Sequence, residues 1–400
     1  MKIGLFVDVY LPEVSGVTMT ISWLREELEA LGHRPIVYAP AYQGASEDEP
    51  GVFRFRSRQF AFHKSSRVAL PFSRAAARSF RELDVVHSST PFSLGLAALH
   101  ASLRHDLPHV HTYHTHLMED RSYLPRPIRP TPRQTARIIA SFCNRCDAVT
   151  AHSTPIREEL LRYGVRRPIH LVPFGIRLPL FEREAIWQPR ETLGIPPTVP
   201  LFLYAGRLAV EKNLGFLLRA FERLVEREPQ AVLVIAGDGP TRRALEAQAA
   251  SSGLGESVVF TGFLDQPRLI DLYKAADLFL FASKTETQGL VLVEAMAAGT
   301  PAVVLGELGV VDFVHDEVNG VHAPEEEAGF AAAALALFHD APRRGRLAAA
   351  GLETARNLST RHSTLNLLGI LEACIASPRM PRRRLIRRFR LRRTRRLRSP

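Results

Sequence analysis

The sequence predicts an α/β protein built from two Rossmann-like, doubly wound domains that face each other across a cleft. The chain is 400 residues long, which is more than a single hydrophobic core usually organises. Short apolar runs alternate with longer amphipathic stretches, a pattern typical of parallel strands joined by helical crossovers. This alternation pauses in an irregular stretch with four prolines at residues 182–200 and then restarts, so this stretch is predicted to be a linker between two halves of the chain.

The first half predicts one parallel sheet. An apolar run at Ile3–Asp8 indicates the first strand, and a loop and an amphipathic helix at Thr20–Leu31 follow it. Later apolar runs of this half predict further strands at Pro35–Ala39, Asp84–His87, His109–Tyr113, Asp147–Ser153 and Ile169–Pro173. We therefore assign residues 1–185 to an N-terminal Rossmann-like domain.

The second half repeats this order of strands and helices. A strand and loop at Leu201–Gly206 lead into a helix at Asn213–Arg227, and a second helix is predicted at Leu290–Ala298. The remaining apolar runs predict strands at Val232–Gly237, Val258–Phe260, Leu278–Phe281 and Pro301–Val304. We assign residues 186–376 to this domain, whose last helix could pack back on the first, and residues 377–400 to an arginine-rich tail.

The net charge of +11 is concentrated at one end of the chain. Residues 379–400 hold twelve arginines and no acidic residue, which leaves a net charge of −1 on the other 378 residues. No apolar stretch reaches the ~18 residues that a spanning helix needs. The three cysteines form no disulfide framework, and Cys143 and Cys146 are predicted to be small buried residues rather than metal ligands. These features favour a reducing, cytoplasmic location.

The densest chemical signal lies between Ser283 and Pro301. A strand ends, a polar loop follows, and a helix opens near Gly289, so backbone N–H groups and the positive helix end could receive a phosphate. Glu286 stands in the loop and Glu294 stands about 7.5 Å further along the helix axis. The two carboxylates could bracket a ligand that carries hydroxyls and phosphate.

A second signal follows the strand at Leu201–Gly206. Arg207 and Lys212 stand at a strand-to-helix junction, where a guanidinium fork and an ammonium suit a pyrophosphate. The next strand ends in Gly237-Asp-Gly239-Pro240, which is also good turn chemistry without any ligand. Both interpretations of that turn stay open from the sequence.

These motifs occur in the order G-R-L-x-x-E-K-N, A-G-D-G-P and E-x7-E ahead of A-x-G-x-P. In this order and spacing the chain resembles the large family 4 of retaining glycosyltransferases, which have the GT-B fold. The resemblance covers most of residues 1–375. It implies an N-terminal domain on the acceptor side and a C-terminal domain that binds a nucleotide sugar.

The resemblance also implies roles for donor-binding residues. Arg207 and Lys212 would neutralise the donor diphosphate, and Glu294 would hold the ribose hydroxyls. Glu286 would contact the hydroxyls of the transferred sugar and, with His114, is one of two predicted catalytic residues. The phosphate cradle would be completed by backbone N–H groups near Gly289 and Leu290.

In the first half, the resemblance points to Gly16 and His114. Gly16 would face the donor phosphate, and His114 would lie near the reacting sugar. The segment His111-Thr-Tyr-His114-Thr-His116 also allows a metal-site interpretation, but no Asp, Glu or Cys stands at a matching spacing. No Asp-x-Asp pair occurs at the donor motifs either. We therefore expect metal-independent chemistry without a cofactor. The resemblance implies that the leaving phosphate helps to deprotonate the acceptor.

One segment departs from the family pattern. At Pro173–Arg177 the family usually has Asn or Thr, Gly, Val or Ile, and Asp after the proline, whereas this chain has Phe174, Gly175, Ile176 and Arg177. The departure concerns the connection between the domains or the acceptor rather than the donor site.

The acceptor is predicted to be a lipid. Ser283-x-Thr-Glu-Thr-Gln-Gly and His-Thr-Tyr-His-Thr resemble the branch that glycosylates diacylglycerol. A stretch that interleaves aromatic and cationic residues supplies candidates for membrane or acceptor contact, namely Arg54, Arg56, Phe60, Lys64 and Arg67. The tail resembles a membrane-surface helix, although a disordered extension and a nucleic-acid-binding segment are alternatives. We expect no nucleic-acid partner.

The resemblance, together with these features, predicts a retaining transferase that moves a hexose, for example from UDP-glucose, to a lipid such as 1,2-diacylglycerol. It would act at the anionic inner face of the cell membrane as a peripheral cytoplasmic enzyme. A transferase acting on a soluble sugar, polyol or cell-envelope glycan is the first alternative. An epimerase-like nucleotide-sugar enzyme on the same fold is the second.

Overall fold

We describe the protein from a computed structural model. The structure describes residues 1–13, 16–42, 49–59, 67–114, 129–284, 286, 288–306 and 308–377. The chain forms two compact units, one of Met1–Val172 together with the chain from Ser363 onward, and one of Pro173–His362. The chain crosses between the units at Val172/Pro173, before the predicted boundary at 185/186, and it returns to the first unit at Ser363.

The first unit is built on a seven-stranded parallel sheet with the strand order β3-β2-β1-β6-β7-β8-β9. These strands are β1 (Lys2–Phe6), β2 (Arg34–Pro40), β3 (Val52–Phe55), β6 (Val85–Ser88), β7 (His109–Thr112), β8 (Ala148–Ala151) and β9 (Ile169–Leu171). A separate antiparallel hairpin pairs β4 (Ser57–Gln59) with β5 (Arg67–Ala69). The helices are α1 (Gly16–Ala30), α2 (Arg74–Ser79), α3 (Ser93–His105), α4 (Pro132–Cys143), α5 (Thr154–Tyr163) and most of α14 (Thr360–Ala376).

Both faces of this sheet are buried, which explains the continuous apolar runs of its central strands. On one face Ile3 and Leu5 of β1 pack with Leu28 of α1 and with Leu368 and Leu371 of α14. The other face has an aromatic cluster of Phe6, Tyr38, Phe55 and Phe80. The sheet therefore separates two apolar layers, as a doubly wound domain requires.

The second unit has a six-stranded parallel sheet with the order β12-β11-β10-β13-β14-β15. These strands are β10 (Leu201–Ala205), β11 (Val232–Ala236), β12 (Val258–Gly262), β13 (Leu278–Phe281), β14 (Ala302–Leu305) and β15 (Val321–Ala323). The helices are α6 (Pro179–Glu182), α7 (Pro189–Thr192), α8 (Leu214–Val225), α9 (Arg242–Ser251), α10 (Gln266–Ala275), α11 (Leu290–Ala297), α12 (Glu327–His339) and α13 (Ala341–Asn357). Counted along the unit, the strand order is 3-2-1-4-5-6, the doubly wound order of dinucleotide-binding domains. The predicted fold class, α/β with two Rossmann-like doubly wound domains, is confirmed.

The irregular stretch at residues 182–200 is fastened to the second unit. The Asp271 carboxylate, 2% exposed, accepts a hydrogen bond from the Arg183 guanidinium at 2.9 Å and from the backbone N–H groups of Ile186 and Trp187, each at 3.1 Å. The Arg190 guanidinium bonds the Asp277 carboxylate at 2.9 Å. The stretch was predicted as a linker because of its prolines, but these contacts make it part of the second unit.

Two edge strands were not predicted. β3 carries Phe53 and Arg54 in a stretch that the sequence suggested was a cationic surface, and β15 follows a turn at Asn319–Gly320. Both are short strands at the ends of their sheets, where the apolar run is weakest. Within the part of the chain that the structure describes, no helix combines the length and the apolar character needed to span a bilayer.

The interior of the first sheet contains an unusual layer of histidines. The Nε2 atom of His87 lies 2.7 Å from Thr112 Oγ1, and the Ser88 hydroxyl bridges His109 Nε2 at 2.7 Å and His111 Nδ1 at 2.9 Å. Burial lowers the pKa of His87 to about 4. Burial, together with the neighbouring His109 and His87, also lowers the pKa of His111 well below its usual value. The His87 and His111 rings are therefore neutral at pH 7.

We expect the first unit to lose stability as the pH falls below about 6.5, because the unfolded chain then binds a proton that folded His87 excludes until about pH 4. Each such histidine contributes a slope of about 1.4 kcal/mol per pH unit within its window. Replacing His87 with Gln keeps a hydrogen-bonding side chain and should reduce the slope by that amount. Urea unfolding of a Trp187→Phe background, in which Trp23 of α1 is the remaining tryptophan, reports on this unit. Equal slopes with and without His87 would contradict the prediction.

Candidate donor-binding site

The residues predicted to bind a donor meet at one point of the second sheet. β10 and β13 are hydrogen-bonded neighbours, and the chain leaves them in opposite directions along the sheet, to β11 and to β14. In doubly wound sheets this switch point leaves a crevice at the carboxyl ends of the strands, where ligands bind. Arg207 and Lys212 follow β10, and Glu286 and Gly289 follow β13. The fold therefore brings both sequence motifs to the same crevice.

The Arg207 loop is shaped by two glycines of the neighbouring turn. A Cβ atom on Gly237, whose φ is +141°, would lie 1.9 Å from the carbonyl oxygen of Gly206, and one on Gly239 would lie 2.3 Å from that of Leu208. Leu208 N–H donates to Asp238 O at 3.0 Å. The Gly-Asp-Gly-Pro turn thus supports the backbone of the loop by close packing. Of its two open interpretations, turn chemistry accounts for both glycines.

Arg207 and Lys212 differ in their surroundings. Arg207 is exposed, and within the described part of the chain its guanidinium has no hydrogen-bond or ion-pair partner. The Lys212 ammonium lies 2.5 Å from Glu286 Oε2, and the two side chains are 21% and 16% exposed. A cation from the β10 loop and a carboxylate from the β13 loop are therefore paired across the switch point. The pair holds both groups in place at the edge of the crevice.

Gly289 starts helix α11 in a left-handed conformation, with φ +69°. A Cβ atom there would approach Glu286 Cγ to 3.0 Å, so both backbone conformation and packing require glycine. Leu290 is the first residue of the helix, and among the described residues no side chain caps this end. The N–H groups of the first turn, which have no partner within the helix, and the helix dipole give the crevice an anion-binding character.

Glu294 lies on the second turn of α11 and is half-buried. The Tyr273 hydroxyl donates to Glu294 Oε2 at 3.1 Å, and Tyr273 itself is fully buried on α10. Burial raises the pKa of Glu294 to about 7, while the hydrogen bond from Tyr273 acts in the opposite direction. The carboxyl group therefore titrates near neutral pH and can serve as a hydrogen-bond acceptor for hydroxyls of a ligand.

His114 and Gly16 belong to the first unit and are described within it. His114 follows β7, and burial together with the neighbouring His87, His152 and His111 lowers its pKa well below the usual value. Gly16 is the exposed first residue of α1, and no described atom lies within 4 Å of the position that its Cβ would take. Packing within the described part of the unit therefore does not explain a glycine at this position.

The residues predicted to contact a membrane or an acceptor differ in their exposure and in their hydrogen-bond partners. Arg54 was predicted as a membrane or acceptor candidate, but its side chain is only 7% exposed, and its guanidinium donates to the Glu49 carboxylate at 3.2 Å and to Leu11 O at 2.7 Å. Arg67 bonds Ser57 Oγ at 2.7 Å within the hairpin, whereas Arg56 is exposed. Phe60 and Lys64 lie outside the described residues, as does the tail from residue 378.

The residues described here include no group of three or more His, Cys, Asp or Glu side chains that could hold a metal ion. His116 lies outside the described residues. Cys143 and Cys146 are buried, as the sequence predicted, and burial raises the pKa of the Cys143 thiol to about 12.

Comparison with known families matches both halves of the chain. Residues 14–179 match the family described as Glycosyltransferase Family 4, and residues 185–354 match the family described as Glycosyl transferases group 1. An alpha-monoglucosyldiacylglycerol synthase of Streptococcus pneumoniae is 34% identical over 334 residues, which cover 80% of this chain and 74% of that protein. The chain belongs to glycosyltransferase family 4. It is an enzyme of the GT-B type.

Two other relatives match this glycosyltransferase over most of its length. An alpha-monoglucosyldiacylglycerol synthase of Acholeplasma laidlawii is 31% identical, over 82% of this chain and 86% of that protein. A D-inositol 3-phosphate glycosyltransferase of Xylanimonas cellulosilytica is 35% identical, over 74% of this chain and 73% of that protein. These relatives are named as transferases and synthases, which favours transfer over the epimerase alternative.

Solved structures agree with the fold of this glycosyltransferase. A sucrose-phosphate synthase of Thermosynechococcus elongatus superposes with a TM-score of 0.74 at 22% identity, over 94% of this chain and all of that one. HepE of Anabaena, solved in complex with UDP, superposes with a TM-score of 0.74 at 20% identity, over 93% of this chain and all of that one. At these identities the likeness supports the fold alone.

Two residues around the site were not assigned a role from the sequence. Tyr273 contacts Glu294 from a different helix, and Gln288, which lies inside the quoted motif, bonds the backbone of Phe174. An amphipathic helix with a tyrosine on its buried face gives no sign of a partner. Gln288 stands between Thr287 and Gly289 in the sequence, and this context does not indicate that its carboxamide is buried and therefore needs hydrogen-bond partners.

We expect Tyr273→Phe to raise the pKa of Glu294 further above about 7, because the variant loses the hydrogen bond that favours the charged carboxylate. Isotope-edited infrared spectroscopy of glutamate carboxyls can follow the titration, and Glu294→Gln identifies the band. A midpoint that stays the same or falls in Tyr273→Phe would show that the hydroxyl does not stabilise the charged form.

Proposed function

We propose that this enzyme is a retaining hexosyltransferase that uses a UDP-sugar, with UDP-glucose as the first choice, and glycosylates a lipid such as 1,2-diacylglycerol. The observation that carries the proposal is the 31–34% identity to two alpha-monoglucosyldiacylglycerol synthases over about four fifths of the chain. The cations Arg207 and Lys212 and the Glu286 carboxylate, which meet at the β10–β13 switch point, support nucleotide-sugar binding. We place the enzyme in the cytoplasm, at the inner face of the cell membrane.

The proposed chemistry needs no protein nucleophile, and we propose that it needs no metal ion. Arg207 and Lys212 neutralise the diphosphate, and the N–H groups at Gly289 and Leu290 bind its oxygens, so negative charge is stabilised as the bond between the anomeric carbon and the diphosphate breaks. The acceptor oxygen attacks the same face of the sugar, and its proton passes to the departing phosphate. Glu286 accepts hydrogen bonds from sugar hydroxyls, and Glu294 accepts them from the ribose.

The Lys212–Glu286 ion pair fits this proposal. The Lys212 ammonium and the Glu286 carboxylate neutralise each other at 2.5 Å, so neither charge stands alone in a partly buried crevice. A bound diphosphate offers Lys212 a second anion, while the adjacent sugar offers Glu286 hydroxyl donors. The pair would thus be arranged before the donor arrives, which reduces reorganisation during the reaction.

An exposed apolar surface in the first unit supports action at a membrane. Leu70 and Phe72, just after β5, are 56% and 82% exposed, and Phe92 is 49% exposed. Ala69 N–H donates to Ser93 Oγ at 3.3 Å, which brings the two segments together. Exposed arginines on the hairpin and on the nearby α2 region are Arg56, Arg58, Arg74, Arg78 and Arg81. Apolar side chains beside cations suit the interface of an anionic bilayer.

A soluble polyol phosphate is the second candidate acceptor. The 35% identity to a D-inositol 3-phosphate glycosyltransferase over 74% of the chain favours it. The two candidates share the donor chemistry and differ in the phase in which the product is found.

The test is a transfer assay with radiolabelled UDP-glucose, UDP-galactose and UDP-N-acetylglucosamine. Diacylglycerol in anionic vesicles is one acceptor, and a panel of soluble sugars and polyol phosphates is the other. Label extracted into the organic phase supports the lipid acceptor and identifies the donor. Label found only in water-soluble product would replace the lipid acceptor with the soluble one, and no transfer from any UDP-sugar would overturn the donor.

We expect Glu286→Ala to lower turnover by about 100-fold or more while the affinity for UDP alone changes little, because Glu286 would contact the sugar and not the nucleotide. Arg207→Ala should instead weaken UDP binding. Calorimetry with UDP and the transfer assay separate the two effects. Turnover near the wild-type value in Glu286→Ala would remove this residue from the sugar site.

We expect the double variant Leu70→Ser/Phe72→Ser to bind anionic vesicles about tenfold more weakly or worse, since one buried large apolar side chain contributes about 1.5–3 kcal/mol. Ile186→Ser is the matched control, because Ile186 is 68% exposed but belongs to the second unit. Deletion of residues 379–400 tests the arginine-rich tail separately. Vesicle sedimentation measures all three variants, and equal binding of the double variant and the wild type would exclude the Leu70–Phe72 surface.

A further inference from the structure

Gln288 makes a two-point contact with a backbone segment that lies far away in sequence. The N–H of Phe174 donates to Gln288 Oε1 at 2.9 Å, and Gln288 Nε2 donates to the carbonyl oxygen of Phe174 at 2.8 Å. Gln288 is 3% exposed, so both polar ends of its carboxamide are satisfied in the interior. The contact joins the loop after β13 to the segment where the chain enters the second unit.

We propose that Gln288 is a positioning residue, which holds the loop carrying Glu286 and Gly289 in its donor-binding geometry by anchoring it to the backbone of Phe174. The proposal rests on the proposed function of Glu286 as the contact of the transferred sugar. It assigns a role to a residue within the Ser283-x-Thr-Glu-Thr-Gln-Gly motif and to the segment that departs from the family pattern at Phe174.

The anchor point itself is rigidly built. Ile176 N–H donates to Leu358 O at 3.0 Å, and Thr360 N–H donates to Ile176 O at 2.9 Å. A Cβ atom on Gly175 would lie 2.3 Å from the carbonyl carbon of Ser359, so the two backbones touch directly. Phe174 is therefore attached to a strand-like pair of segments that leaves little freedom for its N–H and C=O groups. A side chain that binds both groups is fixed in position and in orientation.

The loop side of the contact is tightly coupled to the donor-binding residues. Gln288 directly precedes Gly289, whose Cα lies against the Glu286 side chain, because an added Cβ would approach Glu286 Cγ to 3.0 Å. The carbonyl oxygen of Glu286 accepts a hydrogen bond from Gly309 N–H at 3.1 Å, and its carboxylate bonds Lys212 at 2.5 Å. A displacement of Gln288 would be transmitted to the Glu286 carboxylate and to the first N–H groups of α11.

The N–H and C=O groups of Phe174 are best matched by a glutamine carboxamide at position 288. Phe174 presents one donor and one acceptor, so the partner must offer one of each. Glu at position 288 could accept from the N–H but would place a carboxylate against the carbonyl oxygen. Met has a similar shape and offers neither strong hydrogen bond. Small displacements of groups that contact a reacting substrate can reduce turnover by about 100-fold.

The test is a double-mutant cycle between Gln288→Met and Glu286→Ala, with kcat and the Kd for UDP measured for each variant. We expect Gln288→Met to lower kcat by about 10- to 100-fold with a UDP affinity within about threefold of the wild type. In the Glu286→Ala background the same change should lower kcat by less than about threefold, because the group that it positions is already absent.

Asn319→Leu is the matched control for a simple loss of stability. Asn319 also has a buried carboxamide, whose Oδ1 accepts from His315 N–H at 2.7 Å and whose Nδ2 donates to Phe313 O at 2.7 Å. Neither partner belongs to the nucleotide-sugar site. We expect it to lower the melting temperature as Gln288→Met does, with wild-type kcat per folded molecule. An equal loss of kcat in Gln288→Met and Asn319→Leu would overturn the positioning role. So would an equal effect of Gln288→Met in the wild-type and Glu286→Ala backgrounds. Wild-type turnover in Glu286→Ala would instead overturn the proposed function on which it rests.

Discussion

The second unit depends on the close approach of two backbones at the carboxyl edge of its sheet. Gly237 lies so near the Gly206 carbonyl that any side chain would collide with it, and Gly239 has the same relation to Leu208. This contact sets the course of the chain after β10 and presents Arg207 to solvent. Glu286 then meets Lys212 from the neighbouring β13 loop. These two glycines could be interpreted as ligand-binding residues. Their close packing instead supports the loop that carries Arg207 and Lys212.

Most of the fold could be predicted because buried parallel strands have a simple sequence signature. Continuous apolar runs such as Leu201–Ala205 and Leu278–Phe281 are buried on both faces, and each was predicted close to its observed bounds. Edge strands such as β3 lack that signature. Arg54 shows why, because its burial depends on Glu49, Leu11 and Tyr10, and a local pattern contains no information on such partners.

The sequence could predict which site residues lie at the ends of strands, but it could not predict their partners from other elements. Arg207, Lys212, Glu286 and Gly289 each follow a predicted strand, so topology alone brings them together. Tyr273 and Gln288 act through partners that lie 21 and 114 residues away, on elements whose registers are set by packing. The shift in the pKa of Glu294 has the same origin, since it reflects burial between two helices and not the residue's neighbours along the chain.

The chain enters the second unit at Pro173 and leaves it at His362, and these ends lie side by side where Ile176 pairs with Ser359. The second unit is therefore an insertion within the first. This has a consequence for biosynthesis. Leu367, Leu368 and Leu371 belong to the same apolar cluster as Ile3 and Leu5, yet the ribosome makes them after the whole second unit. One face of the N-terminal sheet therefore stays uncovered while the inserted unit is synthesised. During that interval its apolar surface is accessible to chaperones and prone to aggregation.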